Sequence, residues 1–237
     1  MHTSNYIYHH EDQALQGYLA YDDEINTVRP AVLVIHDWSG RNEFACQQAE
    51  MFVKFGYIGF AVDMYGQGRT GETTDEKQAL MMPLANDRVL LRARICAALD
   101  AVAELTFVDR HRIAVMGFCF GGLCALDLAR SGADIVGAVS FHGLLNKPQD
   151  LSNQLIKGKI LALHGYNDPM VTPADVNTFC QEMTKAGADW QMHMYGNTQH
   201  AFTNPQAHDQ TLGLIYNAEA TRRSFRALTD FLDEVFT

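Results

Sequence analysis

The stretch GFCFGG, residues 117–122, sets a cysteine between glycines directly after the apolar run RIAVM. A thiol on a sharp strand-to-helix turn is pushed out of the chain toward a cleft, where it can serve as a nucleophile. Gly117 and Gly121 would permit such a turn, because they lack the Cβ atoms that would clash on it. A helix beginning behind Cys119 would add unpaired N–H groups and a positive dipole end, and both favour thiolate over thiol. Taken alone, the motif leaves a second reading open. Cysteine is among the most buried residue types, and a structural thiol in a tight packing turn would carry the same glycines. Cys124, more than one helical turn further along in LCALDL, reads as such a core cysteine.

The rest of the chain separates the two readings. A cysteine nucleophile needs a histidine, and the histidine gains from an acid that orients it. Asp168 follows in LHGYNDPMVTP and His200 in YGNTQHAF. Nucleophile, acid, histidine is the chain order found in α/β-hydrolases. His142, His164 and His193 lie in or at the end of strand-like runs, where a structural role is expected. His200 stands after turn residues and before Ala201 and Phe202, an apolar pair able to anchor its loop. The chemistry of such a trio is acyl transfer through a thioester.

These residues have to be positioned by something, and the surrounding pattern supplies it. AVLVI (31–35), YIGFAVD (57–63), RIAVM (112–116), IVGAVSF (135–141) and KILALH (159–164) are short apolar runs rich in β-branched residues. Near-continuous runs of this kind fit strands covered on both faces. WQMHMY (190–195) reads as a further strand, and YIYH with LQGYLAY near the start as an antiparallel edge pair. Between them lie helical patterns at 42–56, 87–105, 121–132, 172–188 and 218–236. Thr172 and Pro173 form a cap and first-turn pair, and Gly56 a C-terminal stop. The alternation predicts an α/β fold with a mostly parallel sheet and helices on both faces. Ligands in such sheets bind at the carboxyl ends of the strands, and every motif above falls at one. The segment YGQGRTGETTDEKQALMMPLAND (65–87) gives the least clear pattern. It shows loop residues, then Met81, Met82 and Pro83, and is expected to border the pocket.

Composition narrows the function. Apolar residues make up 47% of the 237, enough for a sizeable core, and no shift of composition divides the chain. A single domain over 1–237 is expected. Net charge is −10 with no basic tract, which argues against a nucleic-acid partner. No run has the apolar length of a membrane span, and the N-terminal residues show no signal-peptide pattern. The five cysteines are odd in number and scattered, which suits reduced thiols rather than a disulfide framework. A cytoplasmic location is the expectation.

Taken together, VLVIHDWSG, FAVDMYG, GFCFGG, SFHG, HGYNDPMV and QHAF resemble the dienelactone hydrolase family of α/β-hydrolases over nearly the whole chain. The resemblance implies an α/β-hydrolase fold without a large cap domain. It implies Cys119 as nucleophile, Asp168 as orienting acid and His200 as base. It places an oxyanion hole on the backbone N–H groups of Trp38 and Phe120, donors worth roughly 3–4 kcal/mol each. Well-known members carry a glutamate contacting the resting thiol where Asp37 stands, and an arginine for a substrate carboxylate near Thr203 and Asn204. Asp37 is therefore a candidate thiol contact, or else a loop-capping carboxylate. Arg88 and Arg92, four apart on a helix, are candidate substrate contacts or an exposed helix surface.

The expected activity is hydrolysis of a small ester or lactone, with no metal or organic cofactor. Thiol hydrolysis or acyl transfer on another activated acyl group is the alternative within enzymes. A non-catalytic binding or redox-sensing module using Cys119 is the alternative outside them. Oligomeric state is left open.

Overall fold

The apolar runs form the strands of one twisted eight-stranded sheet. The computed structural model describes residues 1–149 and 155–237. Along the chain run β1 (His2–His10), β2 (Gln13–Tyr21), β3 (Arg29–Ile35), α1 (Glu43–Val53), β4 (Ile58–Val62), α2 (Thr74–Asn86), α3 (Arg88–Ala103), β5 (Val108–Phe118) and α4 (Phe120–Arg130). Then come β6 (Gly137–Phe141), β7 (Lys159–Gly165), α5 (Pro173–Lys185), β8 (Trp190–Tyr195), the short strands β9 (His208–Asp209) and β10 (Leu214–Ile215), and α6 (Ala218–Phe236). The sheet order is β1-β2-β4-β3-β5-β6-β7-β8. The pairs β1–β2 and β2–β4 are antiparallel; β4 through β8 run parallel. The expected edge pair and parallel body are both present, in an α/β-hydrolase fold.

Alternate residues of the central strands feed two cores, because strand side chains point to opposite faces. Leu33 and Ile35 pack with Leu91 and Ile95 of α3, Leu123 of α4 and Phe179 of α5. Val32 and Val34 pack with Phe52 of α1 and Phe231 of α6. Strands buried on both sides need no polar alternation, which explains their uninterrupted apolar runs. No large cap covers the carboxyl edge among the described residues. Nor is any helix among them long and apolar enough to cross a membrane.

Residues 65–87 depart from their loop-like reading. Thr73 and Glu76 form a reciprocal capping box that starts α2, and Pro83 sits inside that helix. The box was the available signal, and Pro83 masks it by its cost in a helix interior. Asp87 then caps α3 directly, its side chain accepting from the Leu90 N–H at 2.9 Å. Met81 packs against the core and Met82 is exposed.

Candidate active site

The turn at Cys119 is set by close backbone packing. A Cβ on Gly121 would lie 2.3 Å from the Ile35 carbonyl oxygen, and one on Gly117 would lie 2.1 Å from that of Gly121. Only glycine lets β3, β5 and the start of α4 approach this closely. Cys119 itself takes φ 53° and ψ −113°. A non-glycine residue there stores about 1–3 kcal/mol of strain, and such strain collects at functional sites. The turn is pinned by the Cys119 N–H donating to the Phe141 carbonyl at 3.0 Å. Cys119 is partly exposed, whereas Cys124 is fully buried and its thiol pushed up by that burial. Cys124 thus takes a core position, five residues from the cysteine on the strained turn.

Asp168 and His200 reach the same edge from β7 and from the loop after β8. His200 Nδ1 and Asp168 Oδ2 lie 2.7 Å apart, both side chains fully buried. The other carboxylate oxygen of Asp168 accepts from the Met170 N–H at 2.8 Å, which fixes the rotation of the acid. Among the described residues Nε2 of His200 has no hydrogen-bond partner, and Cys119 is a neighbour of this imidazole. Burial disfavours charge on the imidazole. The neighbouring Cys119 and Asp168 outweigh it and raise the His200 pKa to about 10. The imidazolium persists upward in pH until that value is passed. Removing the thiol removes the largest of the raising causes. In Cys119→Ser, NMR titration should show His200 deprotonating at distinctly lower pH than in the wild type. An unchanged titration would mean that the thiol does not face this imidazole.

The histidine loop is held from two sides. The Ile215 N–H donates to the His200 carbonyl and the Asn217 N–H to that of Phe202, each at 3.0 Å. On the inner side His142, at the end of β6, shares a hydrogen bond with Thr203 Oγ1 at 2.8 Å and meets the His200 ring edge-on at 5.1 Å. Burial, then the neighbouring His200 charge, holds the His142 pKa far below the ordinary value, so it packs as a neutral ring. His142 and Ala201 also have positive φ, 38° and 55°. SFHG thus marks a support for the histidine loop, a role that its strand-end position does not disclose.

Trp38 lies three residues beyond β3 and Phe120 opens α4, and neither amide donates to a described protein group. Tyr65 ties the two residues together. Its hydroxyl donates to the Trp38 carbonyl at 3.0 Å and its ring stacks on Phe120 with centroids 6.0 Å apart. The loop bearing Tyr65 is fastened by Asp63, whose Oδ1 accepts from the Tyr65 and Gly66 N–H groups and whose Oδ2 accepts from those of Gln16 and Gly68. Lys77 of α2 places its Nζ 5.6 Å from the Trp38 ring, so α2 does border the site.

The remaining candidates separate. Asp37 uses Oδ1 to accept from the Ser39 N–H at 2.8 Å, capping its own turn as the alternative reading had it. Arg88 is neither on an exposed surface nor free for substrate. It points into the α3–α4 interface and holds the buried Asp127 with two bonds, 2.5 and 2.7 Å long. Asp127 is also bonded to Arg130, which in turn holds Glu182 of α5. A buried carboxylate needs such cations, and nothing in the spacing of the arginines announces Asp127. Arg92 is half-buried beside the same cluster, and its pKa is lowered mainly by that burial. Among the described residues no group of three His, Cys, Asp or Glu side chains is placed to hold a metal ion.

An eight-stranded mostly parallel sheet with a strained residue between β5 and α4 and an acid–histidine pair at its carboxyl edge defines an α/β-hydrolase. The chain matches the dienelactone hydrolase family over residues 15–236 and belongs to that family; it is a carboxylic ester hydrolase. A dienelactone hydrolase-like promiscuous phosphotriesterase from metagenomic libraries superposes with a TM-score of 0.92 and 31% identity, covering 100% of this chain and 99% of its own. A putative carboxymethylenebutenolidase of Aquifex aeolicus is 29% identical over 76% of this chain and 79% of its own. An uncharacterized protein of Caenorhabditis elegans is 36% identical over 62% of this chain and 94% of its own.

Proposed function

We propose that the chain hydrolyses a small ester or lactone through a thioester on Cys119, as a single domain in a reducing, cytoplasmic setting. The observation that carries this reading is the 2.7 Å His200–Asp168 contact with Cys119 strained at a helix start on the other side of the imidazole. His200 Nε2 takes the proton of the Cys119 thiol as Sγ attacks the carbonyl carbon, and the carbonyl oxygen becomes an oxyanion facing the Trp38 and Phe120 N–H groups. The oxyanion collapses as the C–O bond breaks, and the leaving alkoxide takes the proton from His200 Nε2. Water then attacks the thioester and gives a proton back to Nε2, and the carboxylic acid leaves as the C–S bond breaks. Asp168 keeps the imidazole in the tautomer with a proton on Nδ1. A merely redox-active or ligand-binding thiol would have no use for this aligned, buried acid. All five cysteines are free thiols, as a reducing compartment would keep them.

The test is to mix the protein with an activated aryl ester and follow phenol release. A burst equal to the enzyme, with the acyl mass found on the peptide containing Cys119, is the expected result. Steady turnover with the acyl group on another residue, or no burst and no acyl mass, would overturn the reading. Offering an acceptor thiol or alcohol beside water separates hydrolysis from acyl transfer.

A further inference from the structure

In the turn after β3, the Asp37–Trp38 and Trp38–Ser39 peptides offer two carbonyls and two N–H groups. Three of the four are bonded within the protein. The Trp38 carbonyl accepts from the Tyr65 hydroxyl at 3.0 Å, and the Ser39 N–H donates to Asp37 Oδ1 at 2.8 Å. The Asp37 carbonyl lies 2.5 Å from His36 Nδ1 and accepts from the Gly40 N–H at 3.4 Å. The Trp38 N–H is the fourth, and it has no acceptor among the described residues.

His36 is fully buried. That burial pushes its pKa below the ordinary value against the pull of the Asp63 and Asp37 carboxylates, so the ring is neutral. The Met64 N–H meets Nε2 at 3.3 Å. An N–H only donates, so Nε2 is the bare nitrogen and the single proton sits on Nδ1, facing the Asp37 carbonyl. The residue also lies against the nucleophile turn. A Cβ on Gly121 would stand 2.6 Å from the His36 carbonyl oxygen. The ring meets those of Tyr65 and Phe120 with centroids 4.6 and 6.3 Å away.

We propose that His36 is a positioning residue for the oxyanion: by holding the carbonyl of the Asp37–Trp38 peptide through Nδ1–H, it aims and strengthens the Trp38 N–H. A peptide is planar and trans, so fixing its carbonyl on one side fixes where its N–H points on the other. Hydrogen bonds in a chain polarise one another, so a donor on the carbonyl makes the N–H a better donor in turn. The inference rests on the reading of Cys119 as nucleophile and of the Trp38 N–H as an oxyanion donor, and adds what directs that donor.

The first measurement uses the wild type. Nitrogen NMR of the His36 ring should find its proton on Nδ1, and a proton on Nε2 would overturn the proposal. Two substitutions then separate aim from packing. In His36→Asn the side-chain NH₂ falls where Nδ1 stood and still reaches the Asp37 carbonyl; in His36→Gln the amide falls where Nε2 stood and that bond is lost. Urea curves set conditions in which both variants are folded. The saturating rate of acylation by an activated aryl ester should fall about tenfold or more in His36→Gln, part of the 10²–10³-fold that loss of one oxyanion donor costs. His36→Asn should stay several-fold faster than His36→Gln. The ester concentration for half-saturation should hold in both, because the ground-state ester carries no oxyanion. Equal rates in the two variants, or a wild-type rate in His36→Gln, overturns the proposal. A trifluoromethyl ketone, whose carbonyl carbon bonds Sγ to give a tetrahedral oxyanion, decides the matter where a variant does not fold. In the wild-type adduct the Trp38 amide proton should move downfield. An adduct without that movement refutes Trp38 as donor and the proposal with it. A wild type giving neither burst nor adduct refutes Cys119 as nucleophile and so removes the proposal's basis, an outcome distinct from a failure confined to His36.

Discussion

Cys119→Ala should lower kcat/KM for an activated ester by about 10⁴-fold or more, the loss seen when the attacking atom of a cooperating trio is removed. The residual rate would be what oriented amides and binding supply without covalent attack. His200→Ala should fall to a similar level, and the double variant hardly further, because groups that act as a unit are not additive. Brief iodoacetamide treatment supplies an independent reading. Cys119 is partly exposed, and Cys46 and Cys124 are buried; burial also pushes up the thiols of Cys46, Cys96, Cys124 and Cys180. Alkylation should therefore mark the Cys119 peptide first, with activity falling in step. Activity lost while a different cysteine is labelled would remove Cys119 from the mechanism.

Asp168→Asn should cost about 10³–10⁴-fold in kcat with little loss of stability. The reason lies in how Asp168 is held. Its Oδ1 is occupied by the Met170 N–H, so an asparagine would keep its carbonyl oxygen there and turn its NH₂ toward His200. Nδ1 would then have to accept. The single proton of a neutral imidazole would move to Nε2, facing the thiol, and the ring could no longer take the thiol's proton. The imidazolium would also lose a paired anion at 2.7 Å, so the His200 pKa should fall from about 10. A urea unfolding curve close to that of the wild type would separate this tautomer effect from misfolding. Retention of more than about a tenth of the activity would show that the acid's orientation of the ring is dispensable.

Much of this was legible in one dimension because it depends on short-range physics. GFCFGG encodes its own turn: the glycines are needed within five residues of the cysteine they expose, and the strand before it and helix after it are written in adjacent periodicities. Thr172 with Pro173 opens α5 for equally local reasons. The order Cys119, Asp168, His200 carries further, because a parallel sheet delivers the end of each strand to one edge whatever the intervening loops contain. Helix α2 was written locally too, in Thr73 and Glu76, but the proline within it spoke against the box.

What the tertiary structure alone decided are pairings between residues distant in the chain. Arg88 looks like surface until Asp127, on a different helix, is found beneath it. Tyr65 is one more aromatic at a strand end until its hydroxyl meets the Trp38 carbonyl and its ring meets Phe120. His142 becomes the support of the His200 loop only through Thr203. Sequence fixes residue type and neighbours along the chain, so it can announce a turn, a cap or a strand. Which distant partner satisfies a buried charge or hydroxyl depends on where packing brings the elements together, and no local pattern carries that information.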